Sequence, residues 1–287
     1  MKKFLGIISL CLLTFSCSKK EQPLDNSLLW EISGNGLEEP SYLFGTIHAI
    51  CDASLDDKVI KALDKTSVVI LELDIDDLEP SDDMRNQVKM KNGTTIQDLT
   101  TDKEYKALET FVKNELTLPI EEMNTIKPYF IIVLTYTKLF DCPIVSLESE
   151  LIKLAYEQNE EVLGLETLEE QFKIFDDIPY EAQVTDLLNS VSDTLKRDKK
   201  MFNEMLDLYN NENISELHDL LKDYPSEVSD KYLHILVDDR NKKWIPKIKN
   251  YAMEQPSFFG VGAGHLPGKN GVINLLRKEG YTVKAVK

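Results

Sequence analysis

Histidine, tryptophan, proline and glycine are all scarce: 4, 2, 11 and 12 of them occur among 287 residues. So little glycine and proline excludes a collagenous or low-complexity chain, and 42% hydrophobic residues exclude a disordered one. Basic residues are in deficit as well, 33 Lys and Arg against 50 Asp and Glu, for a formal charge of −17. That excess repels phosphates, and no basic cluster interrupts it, so nucleic acid is excluded as a general partner. H-E-x-x-H, G-x-S-x-G and P-loop patterns are missing, which removes the main support for zincin, α/β-hydrolase and nucleotide-triphosphatase readings.

What is present starts with a leader. Lys2 and Lys3 precede an apolar run from Phe4 to Phe15, the length of a signal peptide core and too short to span a bilayer. Ser16, then Cys17, then polar residues resemble a bacterial lipoprotein signal. The expectation is a signal peptide over 1–16, lipidation of Cys17, and a tether over 17–26. The chain would then sit in the bacterial cell envelope, touching the membrane through its lipid; an ordinary secretory signal is the rival reading. Beyond the anchor only Cys51 and Cys142 remain. An oxidising compartment invites a disulfide between them, and two small buried hydrophobes are the alternative.

From residue 27 to 287 one domain is expected. LLWEIS and SYLFGTIH flank a turn-rich GNGLEEP and read as a hairpin. SVVILELD (67–74), PIVSLE (143–148), EVLGLE (161–166) and SFFGVG (257–262) read as buried strands, and TVKAV (282–286) as a last one. The helix between PIVSLE and EVLGLE argues for parallel pairing of those two. Thr167 and Glu170 form a capping box. The fold class predicted is α/β, a mixed, largely parallel sheet with helical insertions at about 80–140 and 175–255.

Two histidines share a context. Gly45-Thr46-Ile47-His48 and Gly262-Ala263-Gly264-His265 are both G-x-x-H at the end of a predicted strand. Glycine lets the backbone turn tightly and approach a bound group, and imidazole at the carboxyl edge of a sheet can ligate a metal or move a proton. Glu72 lies deep in an aliphatic run, where a carboxylate needs a partner; a structural salt bridge is the bland account. Glu166 and Glu148 close two further runs and are candidate second carboxylates. Arg240 is a candidate carboxylate clamp. His218 and His234 have no spaced partner. Asp74 to Glu79 looks like a calcium loop, but Glu79 stands where glycine is needed, so a solvated acidic turn is expected.

FGTIH, VVILELD, NTIKPYF, EVLGLETLEEQF, DDRNKKW and FFGVGAGHLPGKNGVINLLRKEGY, in that order, resemble the successive blocks of the TraB/PrgY/GumN family. The paired G-x-x-H elements are similar to those of the TIKI metalloproteases within it. The resemblance implies a fold related to erythromycin esterase and to the haem-binding lipoprotein ChaN. It implies a site of His48, Glu72 and His265, as catalytic groups or as ligands of a divalent ion such as Mn²⁺ or Zn²⁺, with Glu166 and Arg240 secondary. A lipid-anchored metal-dependent hydrolase of peptides or small molecules is the leading reading. A metal-free esterase-like hydrolase and a surface binding protein for a peptide signal or haem are the alternatives.

Overall fold

The computed structural model describes residues 24–74 and 82–287. The leader, Cys17 and the acidic turn beyond Asp74 lie outside the described residues. β1 (Leu29–Ser33) and β2 (Ser41–Thr46) form an antiparallel hairpin with Leu29 opposite Phe44. Gly34, Asn35 and Gly36 between them all adopt positive φ, which is why that turn is built of Gly and Asn. α1 (Asp57–Leu63) leads to β3 (Val68–Leu73). A first helical excursion follows: α2 (Asp82–Gln87), α3 (Asp102–Phe111), α4 (Ile120–Met123) and α5 (Pro128–Thr135), the last started by Pro128. Then come α6 (Leu147–Gln158), β4 (Glu161–Glu166) and α7 (Leu168–Asp177), which begins with the Thr167–Glu170 capping box. The second excursion is α8 (Tyr180–Ser192), α9 (Lys196–Asn210), α10 (Ile214–Asp223), α11 (Glu227–Leu233) and α12 (Asp239–Glu254). β5 (Phe258–Gly262), α13 (Val272–Lys278) and β6 (Thr282–Ala285) complete the chain.

The strands make one six-stranded sheet in the order β4-β3-β5-β2-β1-β6. β4, β3, β5 and β2 pair in parallel, and β1 pairs antiparallel with both β2 and β6. This corrects the α/β expectation of a largely parallel sheet as the organising element. Helix accounts for 57% of the described residues and strand for 14%, and the sheet is small and mixed. The physical reason is that the two excursions are not surface insertions. They share a core of their own, in which Leu108, Val112 and Ile131 pack with Val184, Leu187 and Phe202. PIVSLE is also not a strand. Ser146 caps the N-terminus of α6 by accepting the Ser149 N–H, which turns the chain helical at Leu147, and β4 pairs with β3 instead. Among the described residues no helix is long and apolar enough to cross a membrane.

Two features place the site. β5 is added late, between β3 and β2; it pairs with β2 along its whole length but with β3 only at Val69–Phe258 and Ile70–Phe259. β3 and β5 therefore part company toward their carboxyl ends. The chain continues from β3 to one side of the sheet and from β5 to the other, the situation in which open sheets form ligand crevices. Across that edge, the loop after β2 is tied to the segment before α6. Ile50 and Val145 exchange backbone hydrogen bonds of 3.0 and 2.9 Å, and a disulfide joins Cys51 to Cys142, 91 residues apart in sequence. A cross-link over so long a loop removes much of the unfolded chain's freedom. Replacing both cysteines by serine is expected to cost about 2–5 kcal/mol in urea unfolding; an unmoved midpoint would mean that the Ile50–Val145 bridge already holds the loop.

Candidate functional site

The crevice floor is an ion-pair cluster. Glu72 comes from β3, Glu166 ends β4, and Arg240 enters from the first turn of α12, just after a wide π-helical turn at His234–Asp238. Arg240 Nε donates to both oxygens of Glu166 at 3.1 and 3.2 Å. Its Nη2 donates to Glu72 Oε2 and, at 2.5 Å, to Glu166 Oε1. Its Nη1 donates to the Leu236 carbonyl and to His265 Nε2, each at 3.1 Å. All five guanidinium N–H groups are committed. Trp244 Nε1 and Gln171 Nε2 also donate to Glu166, each at 3.2 Å, and the guanidinium lies 4.8 Å from the Trp244 ring. Burial opposes ionisation of Glu72, but the Arg240 charge, the two histidines and the Gly262 N–H at 2.8 Å override it and hold the carboxyl well below its usual range.

His265 is neutral, and its neighbours fix its tautomer. Asn241 Nδ2 donates to the carbonyls of His265 and Asn270, so its Oδ1 faces the ring and accepts the Nδ1 proton at 2.7 Å. The lone pair is then on Nε2, where Arg240 donates. Burial is the main force lowering the pKa of this ring to about 3; the Glu72 charge opposes it and the Arg240 charge adds to it.

His48 is the opposite case. It faces a cavity, with 68% of its side chain exposed, and its Nδ1 lies 2.8 Å from Glu148 Oε1 in the first turn of α6. Enclosure by the cavity walls works against the charged ring. The hydrogen bond and charge of Glu148, with Glu72 behind, outweigh it and raise the pKa to about 9. Burial likewise opposes ionisation of Glu148, and the His48 hydrogen bond and charge reverse the sign, so Glu148 is held below its ordinary value. At neutral pH the two form an imidazolium–carboxylate pair whose Nε2 has no hydrogen-bond partner among the described residues, beside the cavity.

The groups meet at Gly262. A Cβ built there would lie 3.3 Å from Glu72 Oε1, 3.5 Å from His265 Cδ2 and 4.0 Å from His48 Nε2. Gly45 has a similar reason, since its Cβ would meet Leu266 Cδ1 at 2.8 Å. Close approach, and not a left-handed turn, is what both G-x-x-H glycines supply. Above them opens a cavity of about 560 Å³ with largely apolar walls, a size suited to a small ligand or a length of peptide.

The three expected metal ligands do not form a ligand set. Glu72 Oε1 lies 3.8 Å from His265 Nε2, but Arg240, itself a cation, bonds to both groups and takes the His265 lone pair, and among the described residues no group of three His, Cys, Asp or Glu side chains is arranged to hold an ion. Glu72 has the salt bridge that its burial demanded. Glu166 shares Arg240 with Glu72, and Glu148 pairs with His48. His218 packs against Gly268 and His234 is exposed, and neither lines the cavity. Asn241 and Trp244 were not singled out by sequence reasoning. The i+4 spacing of Trp244 from Arg240 on one helix is the signal that points to it; no local signal points to Asn241.

The profile of the TraB/PrgY/gumN family matches residues 28–285, and the chain belongs to that family. It is 25% identical to metalloprotease TIKI1 of Danio rerio over 90% of the chain, and 25% identical to metalloprotease TIKI1 of Homo sapiens over 94%. Metalloprotease TIKI2 of Danio rerio is 23% identical over 94% of the chain. The chain spans 63–64% of the length of these relatives. No solved structure is significantly similar to it.

The histidine assignment is testable by NMR titration. His48 is expected to titrate near pH 9 and His265 to stay neutral down to about pH 3. In Glu148→Gln the His48 value should fall, because the hydrogen bond and charge that raise it are removed. A raised folded-state pKa means that the His48–Glu148 pair stabilises the fold below pH 6.5 and that this contribution disappears as pH rises through about 9. A His48 resonance titrating near 6.5 in both proteins would refute the pairing.

Proposed function

We propose that this chain is a hydrolase cleaving peptide bonds in the cavity over the β3–β5 crevice, with His48 as the group that moves protons. One observation carries the reading: His48 Nδ1 is held by Glu148 while its Nε2 faces the cavity beside Gly262. Family membership and relatives named metalloproteases supply the peptide bond as the substrate class.

The chemistry follows from the protonation states. An amide nitrogen leaves well only as an amine, so hydrolysis needs a proton delivered to it. The imidazolium of His48 carries that proton on Nε2. As water adds to the carbonyl carbon, the ring passes that proton to the nitrogen of the collapsing C–N bond and takes up the proton that the water oxygen sheds; the amine departs, the carboxyl product keeps the new C–O bond, and His48 returns to its starting state. Glu148 steadies the charged ring through both transfers. Arg240 is a positioning residue: it fixes Glu72, Glu166 and the lone pair of His265, and Glu72 in turn holds the Gly262 N–H. We further propose that the protein works in the cell envelope, tethered by a lipid on Cys17.

Metal dependence is the second reading, favoured by the relatives' name. His48, Glu72 and His265 would be the ligands of Mn²⁺ or Zn²⁺, and Arg240 would first have to withdraw. Peptide turnover decides between them. His48→Ala and Glu148→Gln are each expected to lower kcat about 10²-fold or more, and wild-type activity should decline as pH rises through about 9. Activity that survives exhaustive chelation supports the first reading. Activity lost to a chelator and restored with one bound ion per chain supports the second. Full turnover by His48→Ala would refute both.

A further inference from the structure

The His48–Glu148 pair is built from two segments with little regular structure. Apart from the isolated Ile50–Val145 bridge, residues 47–56 form neither helix nor strand, and the same holds for residues 139–146, just before α6. Glu148 is fixed from its own side, because Ser146 caps α6 and the helix buries Leu147 and Leu151 in the same core as the strands. His48 is held less well. Its side chain is 68% exposed, and the Glu148 oxygen at 2.8 Å is its one hydrogen-bond partner among the described residues. The position of the imidazole therefore depends on what fastens the loop that carries it.

Three contacts tie that loop to the segment before α6. Ile50 and Val145 exchange backbone hydrogen bonds of 3.0 and 2.9 Å, the Leu147 N–H reaches the Ile47 carbonyl at 3.5 Å, and Cys51 is joined to Cys142. The first is a single bridge with no ladder on either side, and the second is at the outer limit of a hydrogen bond. Contacts of that kind open locally at small cost. The third is covalent. Along the backbone 100 residues separate His48 from Glu148, whereas the disulfide lies three residues beyond His48 and six before Glu148. It is the short connection between the two members of the pair, and a short connection leaves them little room to part. Cys51 is exposed and Cys142 half-buried, and neither lines the cavity, so the bond is approached from the outer surface.

We infer that Cys51 and Cys142 are positioning residues for the proposed reaction: their disulfide holds the His48 loop against the start of α6, and a dithiol reductant that opens it separates His48 from Glu148 and disables the pair. In that step the S–S bond breaks, two electrons and two protons pass from the dithiol to the protein, Cys51 and Cys142 become thiols, and the dithiol closes to its own disulfide. The inference rests on the hydrolase reading for its reaction, but the pairing that the disulfide controls is measured without a substrate.

Histidine-selective ¹⁵N labelling of the full chain supplies the readout. The Nδ1 proton of His48, held by a carboxylate, gives a downfield resonance that is identified by its loss in His48→Ala and its displacement in Glu148→Gln. Reduction with dithiothreitol, its completeness checked by alkylation and mass spectrometry, should abolish that resonance while the backbone amide signals of β3 and β5 stay in place, and reoxidation should restore it. The Cys51→Ser, Cys142→Ser double variant should match the reduced chain and be indifferent to dithiothreitol. A resonance that survives reduction overturns the inference, because the Ile50–Val145 bridge would then suffice. Loss of the strand signals together with it also overturns the inference, because the disulfide would then support the fold as a whole. Peptide turnover in the same samples reports on the reading beneath. On reduction kcat should fall at least about tenfold, with KM changing by less than about threefold. Full turnover after the resonance has gone overturns the inference, since the reaction would not be using the pair. A resonance that responds as expected in a chain that cleaves no peptide in either state leaves the hold of the disulfide on the pair assigned and removes the hydrolase.

Discussion

The site is organised around one buried cation. The Arg240 guanidinium is 11% exposed, and it separates two carboxylates that are 9% and 7% exposed and come from neighbouring strands. Without it, Glu72 and Glu166 would face each other as uncompensated buried charges, an arrangement that costs several kcal/mol in most proteins. With it, Glu72 is held ionised, both carboxylates have a partner, and the His265 lone pair is occupied. The partners lie 74 and 168 residues away in sequence, so the cluster also binds β3 and β4 to the helix that enters from the second excursion. A network in which every donor is used is rigid, and rigidity is what a reactive group beside it requires.

The same four-residue pattern produces two histidines in opposite states. His265 is enclosed, faces a guanidinium, and donates its one N–H to Asn241; burial and the Arg240 charge keep it neutral against the pull of Glu72. His48 projects into the cavity, faces a carboxylate, and is charged at neutral pH. The difference lies in burial, 8% side-chain exposure against 68%, and in the partners, Arg240 for one and Glu148 for the other. It gives the cavity a fixed floor in Arg240 and His265 and a charged imidazole exposed to it in His48.

Much of the local structure was legible. The hairpin, the isolated strands at Val68–Leu73 and Phe258–Gly262, the Pro128 helix start and the Thr167 capping box all follow from short-range rules of composition and spacing. PIVSLE misled because an apolar run of that length suits a strand or the entry to a helix equally well. The Ser146 cap, a contact only three residues long, decided the matter. The weight of helix over sheet was less visible, since nothing local says that two distant excursions will build a common core.

Residue types and their immediate neighbours determined which groups could do chemistry: two glycine-preceded imidazoles, a carboxylate in an aliphatic strand, and an arginine in a polar block. Tertiary structure alone decided which of them are partners and how much charge each carries. The physical reason is that a pKa depends on separations of a few ångströms and on exclusion of water, and both are set by strands and helices that meet from opposite ends of the chain. The guanidinium bonded to Glu72, Glu166 and His265, where a metal ion was expected, is the clearest instance. Sequence supplied every atom of that arrangement, and only folding put the arginine in the middle.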